Sequence, residues 1–179
     1  CESKFVFRKK VLFWDHEDES AGRIYDRVGK NGDILGFSTN NALTANNVKC
    51  DILVQLLATS PFVTSKEIDD FIRTMLDGNL ETMISVSNVQ IECIYKGNPV
   101  NFDQTKQTPP SQLLEPIKSY ACSLMGWEVR RFKTNIEKYN AAYHGGDGSI
   151  GFYELKGYST IDIDNEEDFV LAEAVSSAL

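Results

Sequence analysis

The stretch from Asp51 to Ser87 constrains the fold more than any other part of the chain. It opens with "DILVQLLATSPF", in which the run Ile52 to Leu57 is apolar except for Gln55. A run without polar alternation suits a strand buried on both faces, as in a parallel sheet. Thr59, Ser60 and Pro61 end it. In the following "TSKEIDDFIRTMLDG", Ile68, Phe71, Ile72, Met75 and Leu76 fall on one face of a helix. Thr64 and Glu67 spell a capping box at its start, and Gly78 offers a left-handed stop. "TMISVS" then supplies a second strand. Strand, helix, strand is the order of a right-handed crossover, so we expect an α/β fold with a mostly parallel sheet flanked by helices.

Around this unit the pattern is weaker. Cys1 to Cys50 holds a strand-like "KFVFRKKVLF", the acidic "WDHEDES" and turn-rich segments, and reads as strand, loop and short helix. "IECIYKGNPVNF" reads as a hairpin arm turning at Gly97 and Asn98, followed by a polar, proline-bearing excursion from Gln104 to Pro116. "YACSLMGWEVRRF" reads as one or two strands. Thr134 to Ala142 reads as a short helix with a second capping box, Thr134 and Glu137. "HGGDGS" is a loop, "IGFYEL" a strand and "STIDID" a further short strand. Glu166 to Ala178 is a final helix with Phe169, Ala172 and Val175 on its inner face. No repeat breaks the chain, and its 179 residues fit a single domain over 1–179.

Charge narrows the partners. The formal net charge of −8, from 26 acidic against 18 basic side chains, repels a phosphate backbone and argues against nucleic-acid binding. A small phosphorylated ligand is compatible, because a metal ion and backbone amides neutralise it locally. Cys1, Cys50, Cys93 and Cys122 show no C-x-x-C spacing, and with only His16 and His144 beside them they spell no zinc site. The expectation is a reduced, cytoplasmic protein with no membrane partner, since no stretch reaches the roughly twenty apolar residues of a bilayer span. The chain begins at Cys1; a trimmed start is preferred over a processed lipoprotein, because no export feature accompanies it.

Two places carry candidate chemistry. Along an extended "TIDID", Asp162 and Asp164 project to one face and Ile161 and Ile163 to the other, so two carboxylates are available to one hard cation. Magnesium typically takes just one or two protein carboxylates and completes its octahedron with water and phosphate oxygens. The competing reading is that Asp164 caps the last helix, with Glu167 completing the box, while Asp162 is merely solvated. Thr59 and Ser60 follow the buried strand, and in open α/β sheets ligands bind beyond the carboxyl ends of strands; a plain Ser-Pro turn is the alternative. "HGGDG" lacks the spacing of a phosphate loop. His144 has no evident partner in sequence, and Trp14 and Trp127 most simply fill core.

Taken together, "DILVQLLATSPF", the capped helix, "ISVS", "SQLLEPI" and "STIDIDNEEDFVLAE" resemble the acylneuraminate cytidylyltransferase family, over about Asp51 to Leu179. The resemblance implies a Rossmann-like fold of the nucleotide-diphospho-sugar transferase kind, with an arm that makes a homodimer. It implies CTP-dependent activation of an acidic sugar, sialic acid or a related nonulosonic acid, as a CMP conjugate with release of pyrophosphate. It further implies that Asp162 and Asp164 hold Mg²⁺ at the catalytic centre, that Thr59 and Ser60 lie beside the nucleotide, and that Gln112 lies toward the sugar. Nothing in Cys1 to Cys50 matches the family's Gly, Arg, Ser and Lys-rich triphosphate loop. Its "TSPLR" is "TSPFV" here, and its Asn-Gly is absent from "SYACSLMG". The alternatives are a dimeric nucleotide-binding module that has lost turnover, and an Asp-x-Asp glycosyltransferase using Mn²⁺ and a nucleotide-sugar.

Overall fold

The computed structural model describes the strand Val11–Asp15 and residues 51–179. Readings made on the remainder of 1–50, and on the side chains of Trp14 and His16, lie outside these described residues. Within them, β1 (Val11–Asp15), β2 (Ile52–Leu56), β6 (Ile117–Glu128), β3 (Thr82–Val89) and β7 (Ile150–Glu154) form one sheet in that spatial order. β1 pairs parallel with β2 and β3 parallel with β7, while β6 lies antiparallel between β2 and β3. Four strands therefore share one direction and only β6 opposes them, so the sheet is mostly parallel as expected. The sequence unit β2, helix, β3 is real, but β6 separates its two strands.

Helices cover both faces. Helix α1 (Ser65–Asp77) buries Phe71, Ile72 and Met75 against Ile52, Val54, Met83 and Leu124. On the other face Phe132 of α2 (Val129–Tyr139) joins Leu53, Ile84, Met125 and Trp127. Successive residues of β2 thus enter opposite cores, which is why this strand is apolar without alternation. Each such fully buried side chain contributes about 1.5–3 kcal/mol relative to an exposed one.

The capping box on α1 forms as spelled: Thr64 Oγ1 accepts from the Glu67 N–H at 3.2 Å, and the Thr64 N–H donates to Glu67 Oε2 at 2.8 Å. Burial pushes the Glu67 carboxyl up, but hydrogen bonds from Ser159 and Thr64 outweigh it and hold the group below its usual range. Thr64→Ala is expected to lower stability by about 1 kcal/mol, measured by urea unfolding. At the other end Gly78 stays in the right-handed region (φ −77°), and the left-handed residue is Asn79 (φ 49°).

Several expectations are corrected. Helix α2 begins five residues earlier than read, at Val129, whose N–H donates to the Asp51 carbonyl as β6 ends. Thr134 therefore sits mid-helix with its hydroxyl on the Arg130 carbonyl at 3.0 Å, and forms no cap. The arm hairpin, β4 (Ile94–Tyr95) and β5 (Asn98–Pro99), turns at Lys96 and Gly97 and not at Gly97 and Asn98. Both turn residues have positive φ, 49° and 81°, the requirement of the tight hairpin turn that favours glycine. "STIDID" forms no strand: Gly157–Thr160 is a 3₁₀ turn, and 161–164 runs on without ladder pairing. The last helix, α3 (Glu166–Ala178), has the bounds expected and buries Ala172, but Phe169 is 48% exposed and is not an inner-face residue.

Candidate active site

The carboxyl ends of β1, β2, β3 and β7 lie along one edge of the sheet, and the residues singled out in sequence gather there. Thr59 and Ser60 lie in the turn that follows β2, after Leu57 and Ala58. The chain leaving β7 passes through the 3₁₀ turn and reaches the same place: the Ile163 N–H donates to the Thr59 carbonyl at 2.9 Å. Ser60 is buried and its hydroxyl points at Asp162 Oδ1, 3.4 Å away, at the long end of a hydrogen bond. Two further contacts stitch the segments: Ser159 Oγ donates to the Phe62 carbonyl at 3.3 Å, and the Phe62 and Tyr158 rings lie 6.2 Å apart. Segments about a hundred residues apart in sequence are thus brought into contact.

Helix α3 does not take Asp164 as its cap. Its cap is Asn165, whose Oδ1 accepts from the Glu167 and Asp168 N–H groups at 2.9 and 3.1 Å. Asp168 Oδ2 completes the box by accepting from the Asn165 N–H, and it takes the Asp164 N–H as well. The capping reading, built on Asp164 and Glu167, is one residue out of register. Asp164 keeps an exposed carboxylate two residues along the chain from Asp162, and hard oxygen donors of this kind suit Mg²⁺. Among the described residues no group of three or more His, Cys, Asp or Glu forms a metal cluster.

Gln112 lies in a 3₁₀ turn, Ser111–Leu113, whose backbone is held by Gln90: Gln90 Nε2 donates to the carbonyls of Gln112 and Leu114 at 2.9 and 3.1 Å. Gln90 directly follows β3, so Gln112 is tied to the same edge of the sheet.

A second group at this edge was missed in sequence. Between the pairs Ile84–Met125 and Val86–Tyr120, Ser85 alone opposes Ala121, Cys122, Ser123 and Leu124. The bulge is held by Ser85 Oγ, which accepts from the Leu124 N–H at 3.0 Å, and by the Leu57 N–H, which donates to the Ser123 carbonyl at 3.1 Å. At its centre Cys122 takes a left-handed φ of 58°, costing about 1 kcal/mol and kept by the surrounding bonds. Tyr143 OH donates to Cys122 Sγ at 3.4 Å, and His144 packs against the Tyr143 and Tyr120 rings at 5.0 and 5.6 Å. The only sequence signal was the missing Asn-Gly in "SYACSLMG".

An ion network holds the loop that carries His144. Arg131 joins Glu81 at 2.7 Å and Asp147 at 3.1 Å, and Lys138 reaches Asp147 at 2.6 Å. The Arg131 guanidinium, and then the Ser149 N–H, hold the Glu81 carboxyl below its usual range. Hydrogen bonds from Lys138 and Tyr139 bring Asp147 from 3.8 to about 2. A carboxylate depressed in the folded state stabilises above its unfolded pKa and loses that contribution as pH falls through the folded one. Asp147→Asn is therefore expected to lower the unfolding temperature at pH 5 and above, with the deficit closing as the pH approaches 2.

No protein-family model matches the chain, and no curated protein matches it in sequence. Solved structures do match in fold. A CMP:2-keto-3-deoxy-manno-octonic acid synthetase complexed with CTP aligns with a TM-score of 0.59 and 10% identity, covering 94% of this chain and 80% of that one. The 4-diphosphocytidyl-2C-methyl-D-erythritol synthase of Anaerococcus prevotii aligns at 0.54 and 14% identity, over 93% and 80%. The bifunctional IspDF of Campylobacter jejuni aligns at 0.55 and 13% identity, over 92% of this chain but 42% of that one. With its mixed sheet flanked by helices, the chain shares the α/β fold of these solved structures.

Proposed function

We propose that this chain is a cytidylyltransferase that activates an acidic sugar, sialic acid or a related nonulosonic acid, with CTP, giving a CMP-sugar and pyrophosphate. The observation that carries the reading is the contact between the loop after β2 and the Asp162 segment. It joins the nucleotide-side candidates Thr59 and Ser60 to the Asp162–Ile163 segment at the edge where α/β sheets bind ligands. Asp162 and Asp164 are the residues that would hold Mg²⁺, which when bound supplies positive charge for phosphate oxygens. Ser60 orients Asp162. The exposed Thr59 offers a hydroxyl to the nucleotide, and its carbonyl, by accepting from Ile163, fixes the approach of the acidic segment. Such a transfer depends on positioning and charge neutralisation more than on covalent help.

The acceptor is placed against Tyr120, Tyr143 and His144, where aromatic faces meet the sugar ring and the imidazole N–H meets its carboxylate, with Gln112 on the arm side. The arm itself exposes Ile91, Ile94, Tyr95, Val100 and Leu113, more apolar side chain than a two-residue hairpin stabilises alone. This supports a homodimer in which the arm packs on a second copy.

The test is pyrophosphate release from CTP in the presence of Mg²⁺ and a panel of acidic sugars. Release that depends on one of them supports the reading, and no release with any of them overturns it.

A further inference from the structure

Three polar atoms lie buried without a partner among the described residues around the turn that carries His144: Thr82 Oγ1, and Oδ1 and Nδ2 of Asn135. Both residues are 0% exposed. They meet the same turn from two sides. A Cβ built on Gly145 would stand 3.0 Å from the Thr82 Cβ, and one built on Gly146 would stand 2.6 Å from Asn135 Oδ1. Gly146 also takes a left-handed φ of 60°, so the turn closes on the amide only because both positions are glycine. Thr82 is fixed in the sheet between Trp127 and Ile150, and Asn135 lies on the inner face of α2.

A buried hydroxyl and a buried amide with nothing to bond are costly, and native proteins meet such groups with internal water. The donor and acceptor inventory fits water and not a cation: two acceptor oxygens together with an amide that also donates. We propose that Asn135 and Thr82 hold internal water beneath the Gly145–Gly146 turn, and that through this hydrated seat Asn135 is a positioning residue for Tyr143 and His144. The functional weight of that placement rests on the reading of Tyr143 and His144 as acceptor contacts; the seat itself does not.

The tests use the full chain and need no substrate. Thr82→Val keeps the side-chain shape and removes the hydroxyl. Replacing a bare orphan by an apolar isostere is neutral or stabilising, whereas replacing a hydrated one strands the water and the amide. The expected result is a fall in unfolding temperature of about 2–4 °C, with Thr82→Ser, which keeps the hydroxyl, changing the ordered water not at all. A rise or no change in Thr82→Val overturns the hydration site, as does a crystal structure with no water within hydrogen-bond reach of both residues.

Positioning is read by NMR, since the chain has only two histidines. In Asn135→Leu, or in Gly146→Ala if the first does not fold, the imidazole signals of His144 are expected to lose the ring-current shift imposed by Tyr143 and Tyr120. Unmoved signals overturn the positioning role. Failure of the sugar-transfer assay would strike the functional reading and leave both of these outcomes informative.

Discussion

Asp162→Asn and Asp164→Asn are each expected to reduce pyrophosphate release from CTP by about 10²–10³-fold while leaving the unfolding temperature unchanged within a few degrees, about the loss that follows removal of one preorganised charge-stabilising group. Asparagine retains an oxygen able to accept from Ser60 Oγ, so the contact that seats the segment survives and the effect isolates the charge. Asp164 is exposed and its backbone N–H, not its carboxylate, serves the helix cap, so its replacement leaves α3 intact. The double variant is expected to lose little more than either single one, because two ligands of one cation act as a unit. Asn165→Ala provides the contrast: it removes the cap, costing about 1 kcal/mol, and leaves turnover near the parent's. A Asp164→Asn variant that destabilised the chain but kept its turnover would restore the capping reading.

Trp127→Ala is expected to cost about 3–5 kcal/mol, the range for deleting a large buried aromatic. Trp127 is 1% exposed, meets the Phe132 ring edge-on at 5.4 Å, and its Nε1–H donates to the Tyr143 carbonyl at 3.3 Å. The side chain thus joins β6 to α2 and to the loop bearing Tyr143 and His144. Since domains of this kind are stable by only about 5–15 kcal/mol, the loss is a large fraction of the whole. Urea unfolding measures it, and Trp127→Phe, which keeps most of the apolar volume but not the donor, is expected to fall between. A loss below about 1 kcal/mol would show that α2 is not held through this residue.

What was legible in the sequence is local. The strand Ile52–Leu56, the helix Ser65–Asp77 and the box at Thr64 and Glu67 agree across propensity, pattern and capping, and they form as read. Where two local solutions compete, the sequence is ambiguous by one register: Asp164 with Glu167 and Asn165 with Asp168 both spell a box, and the second forms. Where a distant partner decides, local pattern misleads. The alternation in "TIDID" suits a strand, but its N–H groups donate to the Tyr158 carbonyl, the Thr59 carbonyl and Asp168 Oδ2 in turn, so the segment crosses the sheet edge without joining a ladder. Thr134 is a good cap residue that lies inside a helix because α2 starts directly from β6, anchored on Asp51. The insertion of β6 between β2 and β3, and the bulge that brings Cys122 toward Tyr143, depend on pairings no single segment encodes.

The proposed site follows the same division. Thr59, Ser60, Asp162 and Asp164 stand out as candidates in sequence because their residue types carry chemistry at strand ends. Tyr120, Tyr143 and His144 were not, since each alone is an ordinary aromatic or loop residue and only folding stacks them. Among the described residues no helix is long and apolar enough to cross a membrane.

The most direct measurement is calorimetric titration of CTP into the parent chain and into the Asp162→Asn, Asp164→Asn double variant, each with and without Mg²⁺. We predict that Mg²⁺ tightens CTP binding to the parent at least about tenfold, a difference of roughly 1.4 kcal/mol, and leaves binding to the variant unchanged. Tightening by Mg²⁺ of equal size in both chains would contradict the account.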